Sequence, residues 1–175
     1  MKVINDVLSD SLLSKCNKEL NNKLNKDTWI SSWFAWPPDV RSGVSGNCLI
    51  TSLSPELEKD VENEVLKYFP VPSLPGMLFQ VFQPYSGLSP HADADYGFSA
   101  TLYLNDFWDS EWGGWFIWAD KDTEQSGVYK SFLPKRNTMM LSTESEKHLV
   151  TPISPFCGQF RCTIQIRGSN PTNPK

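Results

Sequence analysis

The chain holds two histidines, and one of them stands in His91-Ala92-Asp93. There an imidazole and a carboxylate two positions apart project to the same side of extended backbone. The other, His148, opens an apolar run far along the chain and can reach the first pair only through the fold. Two imidazoles and one carboxylate form a facial set that suits Fe(II), because they take one face of an octahedron and leave positions for a co-substrate and O2. An H-x-D triplet is equally at home in a surface loop, so the spacing by itself leaves both readings standing.

Side-chain parity supplies a second signal. In an extended run Phe98 to Asn105, the residues Ser99, Thr101, Tyr103 and Asn105 share one face and Phe98, Ala100, Leu102 and Leu104 the other. In Gln159 to Arg167, the residues Arg161, Thr163, Gln165 and Arg167 oppose Cys162, Ile164 and Ile166. Two polar faces of this kind either meet water, as half-buried antiparallel sheets usually do, or line a pocket. In a pocket, Arg161 would stand one strand beyond His148 and could hold a dicarboxylate through a bidentate pair.

The elements that must carry these residues follow from periodicity. Between Asp6 and Leu24, the residues Leu8, Leu12, Cys16, Leu20 and Leu24 recur every fourth position, which predicts an amphipathic helix. A second helix is expected from Ser54-Pro55-Glu56, with Ser as cap and Pro at the first turn; Leu57, Val61, Val65, Leu66 and Phe69 form its buried stripe and Pro70 its stop. Both should back one face of a sheet. Strands are expected near Met77–Gln83, Phe98–Asn105, Gly114–Trp118, Val128–Leu133, Thr138–Ser142, His148–Ile153 and Gln159–Arg167. Seven short strands without intervening helices predict a mainly β fold, an antiparallel sandwich or jelly roll.

With 175 residues, 39% of them hydrophobic, the chain is the size of one compact domain: a helical support region over 1–75, a β core over 76–168 and a polar tail over 169–175. A net charge of -4 and the lack of any Lys/Arg block argue against a nucleic-acid partner. Neither a signal-peptide pattern nor a bilayer-length apolar run is visible, so a soluble, cytoplasmic protein is expected, with no membrane partner. Cys16, Cys48, Cys157 and Cys162 are too scattered for a disulfide scaffold and read as reduced thiols in packing roles. Oligomeric state is not written in any of these features.

Several of these segments, taken in order, resemble the prolyl 4-hydroxylase-like branch of the 2-oxoglutarate- and Fe(II)-dependent oxygenases, over roughly Met77 to Arg167. The matching segments are Tyr85-Ser86-Gly87, His91-Ala92-Asp93, Thr101 to Asn105 with Trp108, Gly113-Gly114, Pro134 to Leu141, His148 to Pro152 and Gly158 to Arg161. The resemblance implies a double-stranded β-helix, the cupin-like jelly roll, with the N-terminal helices packed on one sheet. It implies His91, Asp93 and His148 as iron ligands, and Arg161 and Tyr103 as partners of the distal carboxylate of 2-oxoglutarate. Thr163 joins them by parity, and Gln83 or Tyr85 is a further candidate contact. Asp93 is preferred over Asp95, which keeps the parity but not the H-x-D spacing and is left as an outer acceptor or a solvated loop residue. The implied reaction is a dioxygenase hydroxylation of a C–H bond, with O2 consumed and succinate and CO2 released. A peptidyl proline is the first substrate to try, and another protein side chain or a free small molecule the alternatives.

Two other functions use the same features. A jelly-roll binding module for carbohydrate or peptide would account for the crowded Trp108, Trp112, Trp115 and Trp118, although such density more often means core packing. A cupin-type isomerase or hydrolase would keep the three ligands and change the metal. Gly113-Gly114 is expected where a side chain would not fit. The loops 84–90, 106–112 and 121–126 are expected to rim the site and set substrate choice.

Overall fold

In a computed structural model of the chain, residues 1–26, 29–31, 48–69, 71, 73–74, 76–93, 97–120, 124–142 and 146–168 are described. Asp95, the start of the 121–126 loop and the tail beyond Gly168 lie outside the described residues. The elements run β1 (Lys2–Ile4), α1 (Asp10–Leu24), β2 (Ile30–Ser31), β3 (Cys48–Ser52), α2 (Pro55–Val65), β4 (Met77–Phe82), β5 (Leu88–His91) and β6 (Phe98–Tyr103). After these come β7 (Phe116–Trp118), β8 (Lys130–Phe132), β9 (Met139–Ser142), β10 (His148–Val150) and β11 (Arg161–Gly168). The strands form a seven-stranded sheet, β1-β9-β6-β11-β4-β3-β2, and a four-stranded sheet, β5-β10-β7-β8. Every pairing is antiparallel.

The predicted parity holds across the larger sheet. Phe98, Ala100, Leu102, Ile164 and Ile166 point outward into a core shared with Leu12, Cys16 and Leu20 of α1 and with Leu57, Val61 and Val65 of α2. Both helices therefore back that sheet, as their stripes predict. The first begins at Asp10 rather than Asp6: Asp6 adopts a positive φ of 50°, and the Ser9 side chain accepts the Leu12 N–H as a cap. The second begins at Pro55 behind the Ser54 cap. No helix among the described residues is long and apolar enough to cross a membrane.

All seven expected strands form, most of them shorter than the sequence suggests. The run from His148 stops at Val150, and after Pro152 only Ile153 makes a single bridge to Gly113, because proline has no N–H to extend the ladder. Among the described residues, four strands are additional. β1, β2 and β3 extend the large sheet, and β5 lies in what reads as the Pro84–Pro90 loop. Pro90 is tolerated in β5 because that strand is an edge of the smaller sheet. All four cysteines are free thiols; Cys16 lies at the α1 face of the outer core.

Candidate active site

The two histidines meet because β5 and β10 pair antiparallel with His91 opposite His148, the register shifting between His148 and Val150. Their rings lie 4.4 Å apart by centroid. Asp93, two residues past the end of β5, brings its carboxylate Oδ2 to 3.8 Å from His148 Nε2. One ligand atom from each of the three residues lies within 4.8 Å of the others. The three converge on one point, so that a small closing of the side chains lets a single ion take all of them, and the donor chemistry fits Fe(II).

Backbone carbonyls orient both rings. His91 Nδ1 is 2.7 Å from the Ser89 carbonyl, and His148 Nδ1 is 2.8 Å from the Glu146 carbonyl. A carbonyl only accepts, so each Nδ1 carries the proton and donates, which leaves each Nε2 lone pair for a metal. The Phe116 ring stacks on His148 at 5.0 Å and 16°. Burial, followed by the neighbouring His91, holds His148 below the usual imidazole range, which favours the neutral form that a metal requires. Sequence reasoning missed these supports, since a backbone carbonyl leaves no signature in residue type.

The triad opens into a cavity between the two sheets, lined also by Gln80, Thr101, Arg161, Gln165 and Arg167. The polar parity faces of β6 and β11 thus turn toward the cavity, not toward water. Arg161 is fully buried. Its guanidinium lies over the rings of Phe82 and Tyr103, at 4.8 and 5.0 Å, and its Nε donates to the Gly114 carbonyl at 3.1 Å. Nη2 donates to the Tyr103 hydroxyl at 3.3 Å, and Nη1 is buried without a hydrogen-bond partner. Burying such a donor is costly, so the arrangement fits an arriving carboxylate. Burial pushes the Tyr103 phenol up, keeping it protonated.

The remaining candidates are placed less directly. Tyr103 and Thr163 are not among the cavity-lining residues; Tyr103 meets the site through Arg161, and the Thr163 hydroxyl faces the Gln80 carbonyl and side-chain oxygens at 3.4 and 3.3 Å. Gln83 and Tyr85 do not line the cavity either, and Tyr85 is exposed. Asn105, grouped with Tyr103 by parity, instead clamps the start of β11, bonding the Phe160 carbonyl and the Cys162 N–H.

Gly113-Gly114 sits where the sequence reading puts it, with no room for a side chain at Gly113 and only a tight fit at Gly114. A Cβ at Gly113 would fall on the Pro152 carbonyl oxygen, and one at Gly114 would lie 3.1 Å from Arg161 Cδ; both residues have positive φ, 68° and 66°. The tryptophans pack as structure. Trp108 Nε1 donates to the Gly113 carbonyl at 2.9 Å, Trp108 meets Trp112 edge to face at 5.4 Å, and Trp118 is buried.

The expectation that loops 84–90 and 106–112 rim the site needs correction. From these loops only Leu88, within β5, lines the cavity. Tyr85 bonds to Ile153, Trp108 to Gly113, and the Phe107 carbonyl to Gln159, so 84–87 and 106–112 pack toward the Arg161 end, whereas 88–90 belong to β5 beside the triad.

Residues 77–166, just over half of the chain, match the model of the 2OG-Fe(II) oxygenase superfamily. No curated protein matches the sequence. Among solved structures, a Pseudomonas putida prolyl-4-hydroxylase is similar with a TM-score of 0.69 at 16% identity, covering 97% of this chain and 92% of the other. A Trichoplax adhaerens prolyl hydroxylase, solved with a hypoxia inducible factor oxygen degradation domain peptide fragment, gives 0.68 at 13% identity, covering 95% and 81%. HygX from Streptomyces hygroscopicus, solved with nickel, 2-oxoglutarate and hygromycin B, gives 0.63 at 14%, covering 96% and 82%.

Proposed function

The chain belongs to the 2OG-Fe(II) oxygenase superfamily, and from that premise we propose that His91, Asp93 and His148 hold its Fe(II), that Arg161 anchors 2-oxoglutarate, and that the substrate is hydroxylated beside the triad. The observation that carries this reading is the pairing of two sites in one cavity. Three metal-competent side chains converge at one end, and a buried arginine with an uncommitted Nη1 stands toward the other. With O2, the iron and its co-substrate supply the oxidising chemistry, releasing succinate and CO2.

The protein's own residues do the positioning. Ser89 and Glu146 fix the two imidazoles through their carbonyls. Asp93 supplies the anionic ligand. The Phe82 and Tyr103 rings lie against the Arg161 guanidinium, and the bonds from Nε to Gly114 and from Nη2 to Tyr103 fix it so that Nη1 is presented to a carboxylate. Leu88, Phe116 and Val150 make the cavity wall apolar opposite that polar floor and keep water from the reacting centre. Thr163, engaged by Gln80, acts on the floor rather than on the co-substrate directly. The hydroxylated group is a peptidyl proline in this reading, in keeping with the prolyl hydroxylases of similar fold.

Anaerobic addition of Fe(II) and 2-oxoglutarate tests the core of this. A weak visible charge-transfer band is expected in wild-type protein and is expected to vanish in Asp93→Ala. Folded wild-type protein without that band would refute the assignment. Substrate-stimulated succinate formation with prolyl peptides tests the proline reading separately.

A further inference from the structure

β11 carries a second arginine on its cavity face. Arg167 is six residues from Arg161, roughly 20 Å along an extended strand, and its side chain is half-buried. The two ends of the cavity can be told apart. Arg161 bonds Gly114, just before β7, whereas the far end of β7, Trp118, pairs with His148; the triad therefore lies roughly four residues, about 13 Å, along the cavity from the Arg161 end.

Arg167 belongs to the triad end. It pairs in register with Ser99, which pairs with Ser142. Ser142 in turn donates to the Glu146 carboxylate, and the Glu146 carbonyl orients His148. A five-carbon diacid held by Arg161 and the metal therefore ends near the triad, short of the Arg167 end of β11.

Arg167 and Gln165 also line a second, outer groove, together with Ser52, Glu58 and Leu78. They stand where cavity and groove join. The groove floor continues the inner face of the large sheet, since Ser52 pairs with Leu78 and Leu78 with Gln165. Its acidic member, Glu58, accepts the Met77 N–H at 2.9 Å. A guanidinium carries five donors, so pairing with a neighbour and holding a carboxylate are compatible.

We propose that Arg167 selects the oxidised substrate by binding a carboxylate on it, with the substrate entering along the outer groove and placing its reacting C–H at the triad. This rests on the iron and 2-oxoglutarate reading above, not on the peptidyl-proline one, and adds a carboxylate to what the substrate must carry. One arginine in a chain of net charge -4 suits a single planar carboxylate better than a phosphate dianion. The carboxylate belongs either to a free amino acid or to an acidic residue of a peptide.

The test uses wild-type, R167K and R167Q proteins loaded anaerobically with Fe(II) and 2-oxoglutarate and titrated by calorimetry with matched probes. One arm compares free L-amino acids with their carboxamides. The other compares prolyl peptides containing Glu with their Gln counterparts. At least one carboxylate is expected to bind roughly tenfold or more tightly than its neutral partner in wild type, as a charge-assisted pair implies. R167Q should close that gap, and R167K should restore part of it. The arm that shows the gap identifies the source of the carboxylate. Carboxylate and neutral probes binding alike in wild type, or a gap that persists in R167Q, would overturn the assignment. Absence of the visible chelate band from wild-type protein would instead sink the oxygenase reading, and this inference with it.

Discussion

At the scale of single residues, the proposed function divides the work between metal and co-substrate. Replacing His91, Asp93 or His148 by Ala is expected to abolish Fe(II) binding, since two remaining ligands make a poor site; equilibrium dialysis against Fe(II) under argon reads this directly. Arg161→Ala should weaken 2-oxoglutarate binding about 10- to 100-fold, the loss of one or two charge-assisted hydrogen bonds, with much smaller change in iron affinity. Equal loss of both would place Arg161 in the scaffold. Thr163→Ala should affect co-substrate binding less than Arg161→Ala, because its hydroxyl faces Gln80. Away from the site, burial in the outer core pushes the Cys16 thiol up to about 12. A raised value means a vanishing thiolate fraction at pH 8, so native protein should leave Cys16 unalkylated by iodoacetamide while denatured protein reacts there. Mass spectrometry of the alkylated peptides would show the difference.

At the scale of elements, three short segments set the site's precision. β5 is only four residues long, yet its register against β10 places the two imidazoles together. Pro90 and the preceding Gly87 make that stretch look like a loop in the sequence; only its place at a sheet edge lets a proline-bearing strand exist. The Gly113-Gly114 pair brings a backbone carbonyl to Arg161 Nε. Gly114→Ala combines a positive φ of 66° with a Cβ against Arg161 Cδ, so it should weaken 2-oxoglutarate binding several-fold and cost about 1–3 kcal/mol of stability. Paired denaturation and 2-oxoglutarate titrations check both effects, and an unchanged 2-oxoglutarate affinity would show that the guanidinium adjusts freely. The start of β11 is held by Asn105, a residue whose alternation with Tyr103 suggests the cavity but whose place beyond the end of β6 assigns it to clamping.

For the whole molecule, two sheets enclose a polar cavity and two helices seal the outer face of the larger one. In the proposed reading the ligands bind the folded chain and bridge the two sheets: the metal held from the smaller sheet, the co-substrate from Arg161 on the larger. Stability should therefore depend on ligation. Saturating Fe(II) with 2-oxoglutarate, each far above its dissociation constant, is expected to add about 3–4 kcal/mol by mass action and to raise the unfolding temperature measurably. Asp93→Ala should lose the iron-dependent part of that rise in a thermal melt under argon; a full rise in the variant would indicate ligand binding elsewhere.

Much of this was legible in the residues. The four-residue spacing of Leu12, Cys16 and Leu20 determined a helix and its buried face. The alternation in 98–104 and 161–167 determined which side of each strand is apolar, because a strand's period of two leaves no other choice. The rarity of histidine pointed to His91 and His148. Tertiary structure decided what alternation cannot, namely whether a polar face meets water or a second sheet. It turned Ser99, Thr101, Gln165 and Arg167 inward because the four-stranded sheet lies over them. It also decided which loops border the cavity, moving 106–112 to the closed end, since that depends on the direction in which strands cross the sandwich and not on loop composition. The iron-ligand candidates were named by residue type; their meeting at one point was the work of the antiparallel pairing of two short strands, which sets His91 opposite His148.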